Sequence, residues 1–251
     1  MHRRTNKIDP AFARLALLVG EEGGARLAAA RVAVFGVGAV GSFAIEALAR
    51  SGVGYIRVVD FDEVREGNVN RQLLALRSTL GRSKATLAAQ RIADINPAAV
   101  VDARQEFFAG PEAEELLAGD IDYVIDAIDS MNPKVSLICE ARARNLPVVS
   151  SMGAAGRTDP TKVRVTDISE VVGCPLSKVV RKKLHRRGVR DGVAAVWTTE
   201  RMHRLPERPP PEEELFERGR ARAPLPSAVF VPAAFGMAAA YHVVRYLLER
   251  R

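Results

Sequence analysis

A chain of 251 residues, 47% of them apolar, can bury a full core, which excludes a disordered or fibrous protein. Thirty-seven Lys and Arg against 30 Asp and Glu leave a formal charge of +7, which favours partners bearing phosphate or carboxylate without naming one. Two cysteines, Cys139 and Cys174, are too few for a disulfide framework or a four-thiolate zinc site, so a reducing cytoplasmic setting without zinc is expected.

The basic start, MHRRTNKIDPAFARL, lacks the apolar core and cleavage site of an export signal, and residues 1–30 are read as an N-terminal helical arm. An apolar run at 31–35 then ends in Gly36-Val37-Gly38-Ala39-Val40-Gly41, and SFAIEALARSG follows with helical spacing. This predicts strand, tight turn, helix. The next run, residues 55–59, ends at Asp60 and makes a β-α-β unit with parallel strands. Ser83 is placed to cap a helix through Ala85, Ala88, Ile92 and Ile95, which Asn96-Pro97 ends. Residues 123–125 predict a buried strand running into Asp126-Ala127-Ile128-Asp129-Ser130, and Pro133 sits where a helix to about Asn145 would start. Residues 147–150 supply the strand after it. The pattern predicts an α/β, Rossmann-like, doubly wound and mostly parallel sheet over residues 31–156.

Beyond Gly156, residues 162–166 alternate like a half-exposed strand, and residues 177–190 are basic and helical. Residues 201–226, with Pro209-Pro210-Pro211 and Glu212-Glu213-Glu214, have the composition of a mobile crossing loop. Residues 223–244 carry no Asp, Glu, Lys or Arg and are as long as a membrane span. Their prolines, Gly236, His242 and abundant alanine favour a buried core helix, so membrane association is not expected. Residues 157–251 thus form a C-terminal extension of antiparallel strands and helices.

Gly36, Gly38 and Gly41 let the backbone turn tightly and approach a phosphate at a helix N-terminus, and Asp60 follows at about the 20-residue spacing of a ribose-binding acid. The default reading of such a motif is a nicotinamide enzyme. The stretch after Asp60 argues otherwise, because Asn68, Arg71 and neighbouring polar residues can fold over the nucleotide and neutralise phosphate oxygens. Lys84, in the first turn of the next helix, suits a triphosphate. Asp126 and Asp129 end another strand, where one or both can hold Mg²⁺ with the phosphates.

Taken in order, GVGAVG, VVDFDEVREGNVNRQ, LGRSK, INP and YVIDAIDS resemble the adenylation domain of ubiquitin-activating enzymes and of the ThiF- and MoeB-type enzymes that adenylate small sulfur-carrier proteins. The continuation SSMGAAGRTDPTKVRVTDIS, the basic segment after it and the absence of zinc cysteines resemble the tRNA threonylcarbamoyladenosine dehydratases. That resemblance implies ATP-dependent activation of the threonyl carboxylate of a modified adenosine beside the tRNA anticodon, then ring closure with loss of AMP. It also implies a homodimer, and a sulfur-transfer protein is a candidate partner.

Carried over by resemblance, the glycine turn with Ala39 binds phosphates, Asp60 the ribose, Asn68, Arg71 and Lys84 the triphosphate, and Asp129 the metal. Asp62, Asn70, Gln72 and Ser130 are further nucleotide candidates, and Arg14 resembles an arginine donated to the partner's ATP. Ala39 departs from a family glycine. Lys178, Arg181, Lys182, Lys183, Arg186 and Arg187 surround most of a helix and can follow a tRNA backbone; without interleaved aromatics the contacts would be to phosphate. Trp197 is read as packing, Cys139 as core and Cys174 as a loop residue. The alternative is activation of the C-terminal carboxylate of a sulfur-carrier or ubiquitin-like protein. It is disfavoured because 225–229, Leu-Pro-Ser-Ala-Val, has no thiol for a thioester.

Overall fold

The chain alternates strands and helices from Arg31 onward, and the reason is legible in β1 (Arg31–Phe35), whose last four residues are fully buried. Val32 and Val34 enter one core while Ala33 and Phe35 enter another, the mark of a parallel strand covered on both faces. The computed structural model describes residues 9–203 and 225–250. Most of the crossing loop expected at 201–226 and the basic first residues lie outside the described residues.

The other strands are β2 (Tyr55–Val59), β3 (Val100–Arg104), β4 (Tyr123–Asp126), β5 (Val148–Ser151), β6 (Val163–Asp167) and β7 (Ala194–Thr198). They form one sheet in the order β3-β2-β1-β4-β5-β7-β6, parallel except for β6 against β7. Helices α1 (Ala13–Ala29), α2 (Gly41–Arg50), α3 (Lys84–Ile95) and α7 (Phe230–Glu249) cover one face. Helices α4 (Ala113–Leu116), α5 (Met131–Ala143) and α6 (Pro175–His185) cover the other. The strand order reverses between β1 and β4, which opens a crevice at their carboxyl ends.

Strands β1 and β2 occupy the predicted residues. Strand β3 escaped prediction because charge, not apolar alternation, holds it: Asp102 accepts hydrogen bonds from Tyr55 Oη, Arg57 Nε and Arg104 Nε at 2.9, 2.8 and 2.6 Å. Strand β7, which the sequence pattern does not announce, returns the chain to the sheet parallel to β5. Helix α5 begins two residues before Pro133, whose missing N–H falls in the first turn where none is needed. Helix α6 stops at His185 rather than near 190, closed by a hydrogen bond from Val189 N–H to Leu184 O at 3.0 Å. Trp197 is 5% exposed and its indole N–H donates to Thr166 Oγ1, a packing role.

Helix α7 is long and apolar enough by composition to cross a membrane. Its stripe Val231, Phe235, Ala239, Val243 and Leu247, spaced every four residues, is buried in this fold. The two flanks of the crossing segment meet at one residue: His203 N–H donates to Gly156 O at 2.7 Å, and Gly156 N–H donates to Pro226 O at 2.6 Å.

Candidate nucleotide-binding site

The turn from β1 into α2 lies at the crevice. Gly36 has φ of +86°, which disfavours a side chain, and donates its N–H to Val59 O at 2.8 Å. A Cβ at Gly41 would run into the Gly36 carbonyl oxygen, so the helix packs on the strand only without one. Gly38 differs from both. A Cβ there would meet only the Gln72 side chain, 3.7 Å from Nε2, an ordinary contact. The fold itself does not require glycine at 38, and the space it leaves lies at the N-terminus of α2, where backbone N–H groups can receive an anion. Ala39 is half-buried on the same rim.

Asp60 organises this turn. Its Oδ2 accepts the Val37 N–H at 2.5 Å and its Oδ1 accepts the Asp62 N–H at 2.8 Å. Burial pushes its carboxyl above the usual carboxylate range, against the pull of Lys84. Asp62 in turn accepts from Lys84 Nζ at 2.9 Å, and the lysine side chain is only 6% exposed. Lys84 therefore stands as a buried cation on the floor of the crevice, with Ser83 capping its helix by accepting the Thr86 N–H.

The polar stretch after β2 is a folded loop. Asn68 Oδ1 accepts the Arg65 N–H, and Arg71 Nη1 donates to Gly67 O at 2.6 Å and to Asn70 Oδ1 at 2.9 Å. Asn70 Nδ2 reaches across the chain to Ser227 O at 2.9 Å, beside the returning flank of the crossing segment. Ser42 Oγ, buried in the first turn of α2, accepts the Leu73 N–H and fastens this loop to the glycine turn.

The two acids after β4 have separate roles. Asp126 is fully buried and accepts from Lys134 Nζ at 2.7 Å and Ser150 Oγ at 2.5 Å, so it is not available to a metal. Asp129 is exposed and, among the described residues, accepts only from Ser130 Oγ, at 3.3 Å. It is the member of the pair free to hold Mg²⁺, a cation that takes one or two carboxylates together with phosphates. Lys134 and Ser150 were missed in the sequence; a lysine one turn into a helix after a strand-end Asp is the only signal there. Arg14 is exposed near the start of α1. Cys174 lies in the loop just before α6, as expected, but is buried there at 5% exposure, and Cys139 packs against the core from α5 while half-open to a surface groove.

A turn that spares room for a phosphate, a fixed acid behind it and a buried lysine on the floor are the parts of a nucleotide site at a switch point. Residues 12–251 match the ThiF family model. The chain belongs to the ThiF family. It is 44% identical over 240 residues to a tRNA threonylcarbamoyladenosine dehydratase of Bacillus subtilis, covering 95% of this chain and 94% of that one. The crystal structure of E. coli tRNA N6-threonylcarbamoyladenosine dehydratase, TcdA, in complex with ATP is 34% identical, with a TM-score of 0.83 over 95% of this chain and 93% of that one. The same protein in complex with AMP gives a TM-score of 0.83, 34% identity and 95% and 94% coverage. This ThiF-family chain thus has a Rossmann-like fold shared with a protein solved with both ATP and AMP.

Proposed function

We propose that this chain is an ATP-dependent tRNA threonylcarbamoyladenosine dehydratase. The observation that carries the reading is the glycine turn: Gly38 is spared a side chain that the fold would tolerate, in a turn that Asp60 holds through the Val37 N–H while the neighbouring Asp62 fixes Lys84. ATP supplies the α-phosphate that the threonyl carboxylate attacks, with pyrophosphate leaving; ring closure then expels AMP, for a net loss of one water.

The chain's own residues bind, orient and neutralise. The N–H groups at the start of α2 face the phosphates, and Asp60 uses its remaining lone pairs for the ribose. Lys84 and Arg71 offset the charge on the triphosphate, Asn68 and Gln72 line the loop over it, Asn70 ties that loop to Ser227, and Asp62 keeps Lys84 aimed. Asp129, with Ser130, would hold Mg²⁺ against the phosphates. No protein nucleophile is required, because positioning of two substrates supplies much of the rate. The reading includes a cytoplasmic homodimer in which Arg14, exposed on α1, enters the partner's site. Mixing Arg14→Ala chains with Lys84→Ala chains then restores part of the activity, since one site per heterodimer is intact.

The test is nucleoside mass spectrometry of threonylcarbamoyl-modified tRNA incubated with the protein, Mg²⁺ and ATP, with AMP and ADP measured together. Loss of one water with matching AMP is expected. ADP as the sole nucleotide product, or pyrophosphate exchange on a carrier protein with the tRNA unchanged, would overturn the reading.

A further inference from the structure

We propose that the face of α5 carrying Asn132, Ser136, Cys139 and Arg142 is a track for consecutive tRNA phosphates leading to Asp129, an inference that rests on the function proposed above. The four positions recur at intervals of four, three and three residues and so form one stripe on the helix. At 1.5 Å per residue the stripe runs about 15 Å, long enough to follow a short run of consecutive backbone phosphates.

Helix α6 and the turn behind it lay a cation along each step. Lys183 Nζ donates to Asn132 Oδ1 at 2.7 Å, three residues from Asp129. Arg187 Nη1 donates to Ser136 Oγ at 3.4 Å, and the same side chain shares a groove with Cys139. Arg142 ends the stripe, its guanidinium lying against Gly192, where a Cβ would meet it at 2.9 Å.

At that end a groove of about 510 Å³ opens between Cys139, Arg142, Arg187, Arg190 and Asp191. Several surface arginines find an acid, Arg144 with Glu140, Arg104 with Asp102 and Arg91 with Glu46, and others are taken up by neutral acceptors, Arg82 by Gln90 and Arg164 by backbone carbonyls. Among the described residues Arg142, Arg187 and Arg190 pair with none, and Asp191 alone opposes them. Three uncompensated guanidiniums converging on an open groove match a polyanion whose charges repeat along a line. Arg181, although in the same basic segment, is committed to the carbonyls of Ile168, Ser169 and Val171 and stands outside the track.

The experiment measures binding of unmodified bulk tRNA to the full chain across a salt series, for the wild type and for Arg142→Glu, Arg187→Glu and Arg190→Glu. Each substitution is expected to weaken binding by about tenfold and to lower the slope of log affinity against log salt by about one. ATP affinity and thermal midpoint stay unchanged, because all three side chains are exposed and Arg142 stands at the opposite end of α5 from Asp129. Arg245→Glu on α7, across the sheet, serves as the control and leaves the slope intact. Unchanged affinity and slope in the first three variants would overturn the proposal. So would equal binding of poly-glutamate, which would assign the groove to an acidic protein. If the wild type binds tRNA through these arginines yet forms no cyclic nucleoside, the function fails and the track stands. If it forms the cyclic nucleoside at a tRNA KM that Arg142→Glu leaves unchanged, the track fails and the function stands.

Discussion

Asp60 Oδ2 and the Val37 amide nitrogen stand 2.5 Å apart, so the acid that ends β2 holds the turn that leaves β1. Nucleotide recognition and folding therefore share one carboxylate. Replacing it with alanine strands the buried Val37 N–H, and the expected loss is about 1–3 kcal/mol in urea unfolding together with a raised KM for ATP. Asp60→Asn keeps an acceptor oxygen and loses less of both. Alanine and wild type indistinguishable in the two assays would contradict the shared role.

Lys84 is fixed by Asp62 at 2.9 Å in a closed setting sized for an ammonium group. Lys84→Ala is expected to slow pyrophosphate release by about 10²-fold or more, the scale for removing one positioned donor from a reacting group. Lys84→Arg fails to rescue it, since a planar guanidinium does not fit where the side chain is 6% exposed.

Beneath the crevice, Lys134 and Asp126 are a buried ion pair at 1% and 0% side-chain exposure. Removing one charge leaves the other uncompensated, so Lys134→Met should cost about 3–5 kcal/mol. Lys134→Met combined with Asp126→Asn recovers part of that loss in the same denaturation series. If the double variant is no more stable than Lys134→Met alone, the pair is not the source of the cost.

His242 Nε2 lies 3.0 Å from Tyr123 Oη, and burial, aided by Arg245, lowers its pKa below the ordinary histidine value. Below pH of about 6.5 the unfolded chain takes up a proton that the folded chain refuses. Stability conferred by this site is thus present above that pH and falls as the pH drops toward the folded-state pKa. The thermal midpoint of the wild type should decline over that window, and His242→Gln should flatten the decline.

Cys174 is buried at the start of α6, where its carbonyl accepts from Ser177 Oγ at 2.9 Å and its thiol packs near Gly153. The proposed chemistry routes nothing through sulfur. Cys174→Ala should retain nearly full turnover, and a folded but inactive variant would demand a thiol-dependent step.

The strands that line the crevice were readable because β1 and β2 are short apolar runs ending in residues that only a turn or a site needs, Gly36 and Asp60. Strand β3 was not, since its Asp102 accepts from Tyr55 and Arg57 on β2, and pairing partners far apart in sequence leave no periodic trace. The same limit applies to the acids of DAIDS. Their spacing cannot rank them, whereas Lys134, packed from α5 onto Asp126, removes one from solvent and leaves Asp129 exposed. Asn70 reads locally as a nucleotide ligand, yet its amide is bonded to Ser227, 157 residues away. In the basic segment, charge was visible but commitment was not: Arg181 spends its donors on three carbonyls, while Arg187 keeps its guanidinium at a groove.

Helix α7 comes last in the described chain, yet Gly236 within it presses on Val40 O and Phe43 at the start of α2, so closely that no side chain fits between. The wall behind the glycine turn is therefore made by residues synthesised some 190 positions after it. During translation the turn, Asp60 and Lys84 emerge early, but α2, which follows the turn, has its apolar flank open until the twenty-residue helix α7 arrives. Nucleotide binding should accordingly be a late event in the life of each new chain, and a nascent fragment ending before residue 230 should expose apolar surface rather than hold ATP.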